Sequence, residues 1–150
     1  TTPAALRHAA EMIESGANIS TIYRQVYESR SPGTLALIAR ALGRLAFANE
    51  GHVAYSWLTA ADFDETGAAP EDAENLIDEI RVVRGADTVA LLKASTDGVR
   101  VSLRAKNGYD VGLVARTLGG GGHAAAAGFM SAGDVDSVLA ELLPLLPSAS

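Results

Sequence analysis

Apolar positions in the first third of the chain recur at helical spacing. Thr2 followed by Pro3 reads as an N-cap and first helical residue, and Leu6, Ala9, Ala10 and Ile13 share a face before Gly16. Ser20 can cap a second helix with Ile22, Tyr23, Val26 and Tyr27 as its stripe. Ser31 and Pro32 repeat the signal for a third, where Leu35, Ile38, Leu42 and Leu45 keep a heptad-like spacing. From about residue 44 strand patterns appear. Leu45 and Phe47 alternate with Arg44 and Ala46, Asn49-Glu50-Gly51 reads as a hairpin turn, and Val53, Tyr55 and Trp57 alternate on the return strand.

The remainder alternates between helix and strand. Leu76, Ile77, Ile80 and Val83 mark a helix that Gly85 ends, and Thr88 to Leu92 is a short apolar run of the central-strand kind. Thr96-Asp97-Gly98 is a turn, after which Val99, Val101, Leu103 and Ala105 alternate with Arg100, Ser102, Arg104 and Lys106. Asp110 caps a helix holding Val111, Val114, Ala115 and Leu118. A strand ends near Phe129 and Met130, and Val135, Val138, Leu139, Leu142 and Leu143 line a last helix. The pattern predicts an α/β chain: an N-terminal helical arm over residues 1–43, then a mixed-sheet domain over residues 44–150 with about five strands and packed helices.

Composition adds limits. The chain has 150 residues, 48% of them hydrophobic and 20% charged, which is globular, and it has no cysteine, so disulfides and thiolate metal sites are excluded. No apolar stretch approaches the roughly 18 residues of a membrane span, and the absence of a leader pattern leads us to expect a cytoplasmic protein with no membrane partner. The first residue is Thr1 rather than Met, so we expect a piece of something longer.

The net charge of −6 argues against non-specific coating of nucleic acid, yet the charge is uneven. Residues 62–79 carry eight acids and no base, and read as a solvated helical face. Residues 81–116 carry seven bases and three acids. Alternation places Arg100, Ser102, Arg104 and Lys106 on one side of a strand, where arginine can meet phosphate bidentately. An ordinary solvent-facing strand would look the same.

The run from Gly119 to Gly122, followed by His123, is the strongest local signal. Four consecutive glycines are entropically expensive to order, and we expect no requirement for them from core packing. Their N–H groups can form an anion nest, with His123 as a donor beside it. A flexible hinge is the bland reading. No Gly-Lys-Ser/Thr follows, so this is not a Walker A loop. His8, His52 and His123 do not stand at metal-ligand spacing, and no nucleophile, base and oxyanion hole can be assembled. We therefore expect no catalytic and no metal residue in this chain.

The stretch GGGGHAAAAGF resembles the glycine–histidine signature of the DHHA1 domain, the substrate-binding part of DHH-family phosphoesterases. Val99 to Arg104 resembles the family's Ser-Leu-Arg strand, residues 74–84 with Arg81 the helix before it, and residues 31–47 the connector helix. The opening residues resemble the closing helices of a DHH catalytic domain. The order is most similar to the nanoRNase type, which combines oligoribonuclease and 3′-phosphoadenosine 5′-phosphate phosphatase activities.

The resemblance implies a nucleotide or short-RNA phosphate site made by Gly120, Gly121, Gly122, His123, Arg104 and Arg81. It implies two manganese ions in an absent DHH domain and no cofactor in this chain, which alone should be inactive. Ala124 and Ala125 stand where many relatives carry a polar, basic or proline residue, which removes possible side-chain contacts. Alternatives are an assembly or regulatory module, with a homodimer as one form; the substrate domain of a cyclic-dinucleotide phosphodiesterase or single-strand DNA exonuclease; and an RNA anchor of the kind alanyl-tRNA synthetases carry.

Overall fold

The computed structural model describes residues 1–148. It divides into two compact units, residues 1–31 and 32–148. The first holds α1 (Pro3–Glu14) and α2 (Ile19–Tyr27), capped by the Thr2 hydroxyl and the Asn18 side chain respectively. Asn18, not Ser20, caps α2, so that helix starts earlier than the pattern suggests. Neither helix has a buried residue, and Leu6, Ile13, Tyr23, Val26 and Tyr27 are exposed.

The third helix, α3 (Pro32–Gly43), belongs to the second unit rather than to the arm. Its packed face is Thr34, Leu37 and Ala41, whereas Leu35 is 54% and Leu42 43% exposed. Of the heptad-like set, Leu35 and Leu42 therefore lie on the outer edge, while Ile38 and Leu45 pack partly buried against the core.

The second unit is a six-stranded mixed sheet with strand order β1-β2-β3-β4-β6-β5. The strands are β1 (Ala46–Ala48), β2 (Val53–Leu58), β3 (Thr88–Ser95), β4 (Gly98–Ala105), β5 (Gly121–His123) and β6 (Ala126–Ser131). Only the β2–β3 pair is parallel, and its crossover carries α4 (Ala60–Thr66) and α5 (Leu76–Arg81). The sequence suggests about five strands; the additional one is β5, inside the glycine run.

Two cores result from alternation. One side of the sheet packs Ala90, Leu92, Val99, Val101, Leu103 and Phe129 against α6 (Val111–Thr117) and α7 (Val135–Leu142). The other side packs Ala54, Leu58, Val89 and Leu91 against α3 and α5. That second helical layer covers β2 and β3, touches β4 through α5, and leaves the same face of β6 and β5 without a helix.

Asp62, in the acidic stretch, is 1% exposed and so is not part of a solvated face. Its carboxylate accepts from the Thr59 N–H and hydroxyl, from Arg44 Nη2 at 2.8 Å and from Arg40 Nη1 at 3.0 Å. Arg44 also donates to the Trp57 carbonyl and lies 5.9 Å from that ring's centre. The cluster ties α3, α4 and β2 together. The Arg44 guanidinium, aided by Thr59 and Arg40 against the opposing effect of burial, holds the Asp62 carboxyl well below the usual carboxylate range.

The glycine run is ordered by close approach. A Cβ on Gly120 would stand 2.2 Å from the Gly128 carbonyl oxygen. Gly122 has φ 139° and a Cβ there would stand 2.5 Å from Ala127 Cα. Packing against β6 thus requires these two glycines, contrary to the expectation from sequence. The turn after β5 is pinned by Val111 and Ala105 N–H groups donating to the Ala124 and Ala125 carbonyls.

Two expected outcomes follow from these contacts. Asp62→Ala leaves the Arg44 guanidinium without a carboxylate and Arg40 with Glu65 alone, and lowers stability by about 2–3 kcal/mol, read as a urea midpoint shift. Since the folded Asp62 carboxyl titrates below its unfolded value of roughly 3.9, its contribution is complete above that pH and is lost as pH falls below it. Acid unfolding of the wild type should therefore begin below about pH 4, and Asp62→Asn should flatten this limb. In thermal melts, Gly120→Ala and Gly122→Ala should each lose about 1–3 kcal/mol, while Gly121→Ala, whose Cβ would meet nothing within 4 Å, should melt like wild type.

Candidate functional site

The uncovered face of β4, β6 and β5 forms the floor of an open cavity of about 770 Å³. Strand register divides that face into three rows, because residues directly opposite share a face. The first row is His123, Ala126 and Arg104. The second is Gly121, Gly128 and Ser102. The third is Met130, Arg100 and Lys93. The middle row has no side chain larger than a serine, so it is a trough between two cationic rows.

Arg104 is placed by α5. Its Nε lies 3.5 Å from Asp78 Oδ1, and its Nη1 donates to the Leu103 carbonyl at 3.1 Å. Gly121 lines the trough, and the space a Cβ would occupy there is open. Gly120 and Gly122 also line the cavity, but their lack of a side chain is already required by β6. Gly121 is thus the glycine of the three for which packing offers no reason.

The expected site residues separate into two groups. Gly120, Gly121, Gly122 and Arg104 line one cavity. His123 shares the face of Arg104 by register but is exposed and not among the lining residues. Arg81, at the end of α5, is exposed and also lies outside the lining. Lys106, expected on the strand face, lies past the end of β4 and donates to the Val83 carbonyl at 2.6 Å.

Sequence reasoning did not pick out Lys93, Gly128 or Met130. Lys93 carries a signal in hindsight, as the one charged residue of an otherwise apolar strand start. Three cations and one carboxylate, Glu74, line the cavity, in a chain of net charge −6. A locally cationic, glycine-floored trough is suited to a flat or elongated anion approaching the backbone closely.

Among the described residues no group of three or more His, Asp or Glu side chains is placed to hold a metal ion.

Comparison with known proteins agrees with this architecture. A curated relative, the bifunctional oligoribonuclease and PAP phosphatase NrnA of Thermus thermophilus, is 33% identical over 144 residues, or 95% of this chain and 43% of the relative. The chain thus spans less than half the length of that protein. An exopolyphosphatase-related protein from Bacteroides fragilis has the same fold at TM-score 0.87 and 20% identity, covering 94% of this chain and 42% of that one. A pGpG-specific phosphodiesterase, PggH, from Vibrio matches at TM-score 0.55 and 13% identity, over 97% and 51% of the two chains. The DHHA1 domain model matches residues 50–146, which contain β2 to β6 and the whole trough, and the chain belongs to the DHHA1 domain family.

Proposed function

We propose that this chain is the nucleotide-holding part of a DHH-family phosphoesterase of the oligoribonuclease and PAP-phosphatase kind. The observation that carries the reading is the glycine-floored trough with Arg104 at one end and open space above Gly121. Phosphate oxygens fit the Arg104 guanidinium and the glycine N–H groups, and His123 can add a donor from the same row. Gly128 and Ser102 leave room for a ribose or base against the sheet. The named activity of the Thermus relative supports a phosphorylated nucleotide as the ligand.

Hydrolysis, in this reading, is supplied by a DHH domain with its manganese ions, and this chain binds and orients the substrate. The exposed apolar stripes of α1 and α2 fit burial against that domain. A second copy of the chain is the alternative occupant, and it would appear as concentration-dependent sedimentation.

Calorimetric titration with a 5′-phosphorylated oligoribonucleotide at low salt tests the proposal. Binding is expected to weaken as salt is added. Arg104→Ala should weaken it about 10- to 100-fold, and Gly121→Val should remove it without lowering the melting temperature. Equal affinity of wild type and both variants would sink the reading.

A further inference from the structure

The third row of the floor is chemically unlike the first. Lys93 and Arg100 are direct register partners across β3 and β4. Their Cβ atoms are therefore roughly 5 Å apart, and like charges set directly opposite destabilise a strand pair. Each has little local compensation. Arg100 is exposed, and its side chain forms no hydrogen bond or ion pair with the described residues. Lys93 makes one long hydrogen bond, 3.5 Å to the Ala73 carbonyl. Burial and the neighbouring Arg100 push the Lys93 ammonium below its usual pKa, while Glu74 acts the other way. Two cations thus share one carboxylate at this end of the cavity.

An anion seated between them would turn this unfavourable pair into a favourable site. Lys93 and Arg100 both line the same cavity as Arg104 and Gly121. Arg100 and Arg104 are four residues apart on β4, so their rows are separated by about 13 Å. That exceeds one phosphate-to-phosphate step of an oligonucleotide. The glycine and serine trough joins the two rows without a bulky side chain. Met130, opposite Arg100 and 53% exposed, adds a soft apolar surface suited to a base beside the second row.

We infer that Lys93 and Arg100 form a second phosphate subsite, so that the trough measures length and selects a linear oligonucleotide over a mononucleotide. This rests on the nucleotide-holding role proposed above for the Arg104 end. A mononucleotide reaches one row only. A 5′-phosphorylated trinucleotide can place one phosphate at Arg104 and another at the Lys93–Arg100 row.

The test is calorimetric titration of the whole chain at low salt with 5′-AMP and with the 5′-phosphorylated di- and tri-adenylates. Wild type should bind the trinucleotide at least about tenfold more tightly than 5′-AMP. Lys93→Met and Arg100→Gln should each lower trinucleotide affinity about tenfold, leave 5′-AMP affinity unchanged and keep the wild-type melting temperature. Arg104→Ala should weaken both ligands. Equal wild-type affinity for mono- and trinucleotide, or equal losses for both ligands in the Lys93 and Arg100 variants, would overturn the subsite and leave the nucleotide-holding role intact. No binding of any of the three ligands would overturn both.

Discussion

The carboxylate of Asp62 holds the helical layer to one half of the sheet, and the candidate site exists because the other half is left bare. Arg40 and Arg44 at the end of α3 converge on it, and Thr59 at the start of α4 donates to it twice. A buried carboxylate is costly unless its lone pairs are filled, and here every partner comes from a different point of the layer's edge. The result fixes α3 and α4 over β2. The helical layer reaches no further than α5 at the edge of β4, and the face beyond needs residues that tolerate water.

That face is built from what solvent and a close backbone permit. Arg100 and Arg104 keep their charged ends in water, while Gly121 and Gly128 keep the floor low. Gly120 and Gly122 do something different: they allow β5 to press against β6, which puts Gly121 and His123 on the bare face. One run of glycines thus serves both folding and access to the trough. The division of labour among them is set by strand alternation.

Much of this was legible from sequence. The strict alternation from Val99 to Ala105 gave β4 and its cationic side, and the caps at Thr2 and Asp110 gave helix starts. The family resemblance pointed to Gly120, Gly121, Gly122 and Arg104, which do line one cavity. Other features were hidden for physical reasons. Glycine has low strand propensity, so β5 reads as a loop until its pairing with β6 is known. Asp62 looks solvated because its neighbours are acids, and its arginine partners are about 20 residues away. In α3 both the 34/37/41 face and the 35/38/42 face are plausible seams, and only tertiary contact decides between them. Lys93 stayed unnoticed because its partner Arg100 is opposite only after β3 and β4 pair.

Amide chemical shifts recorded while a 5′-phosphorylated trinucleotide is titrated in test the central claim most directly, since they report which face of the sheet meets the ligand. The account predicts shifts concentrated at Lys93, Arg100 to Arg104, Gly119 to Gly122 and Gly128, with the α6 and α7 face unchanged. Shifts centred instead on Tyr55, Trp57 and the start of α7, on the opposite face, would contradict it.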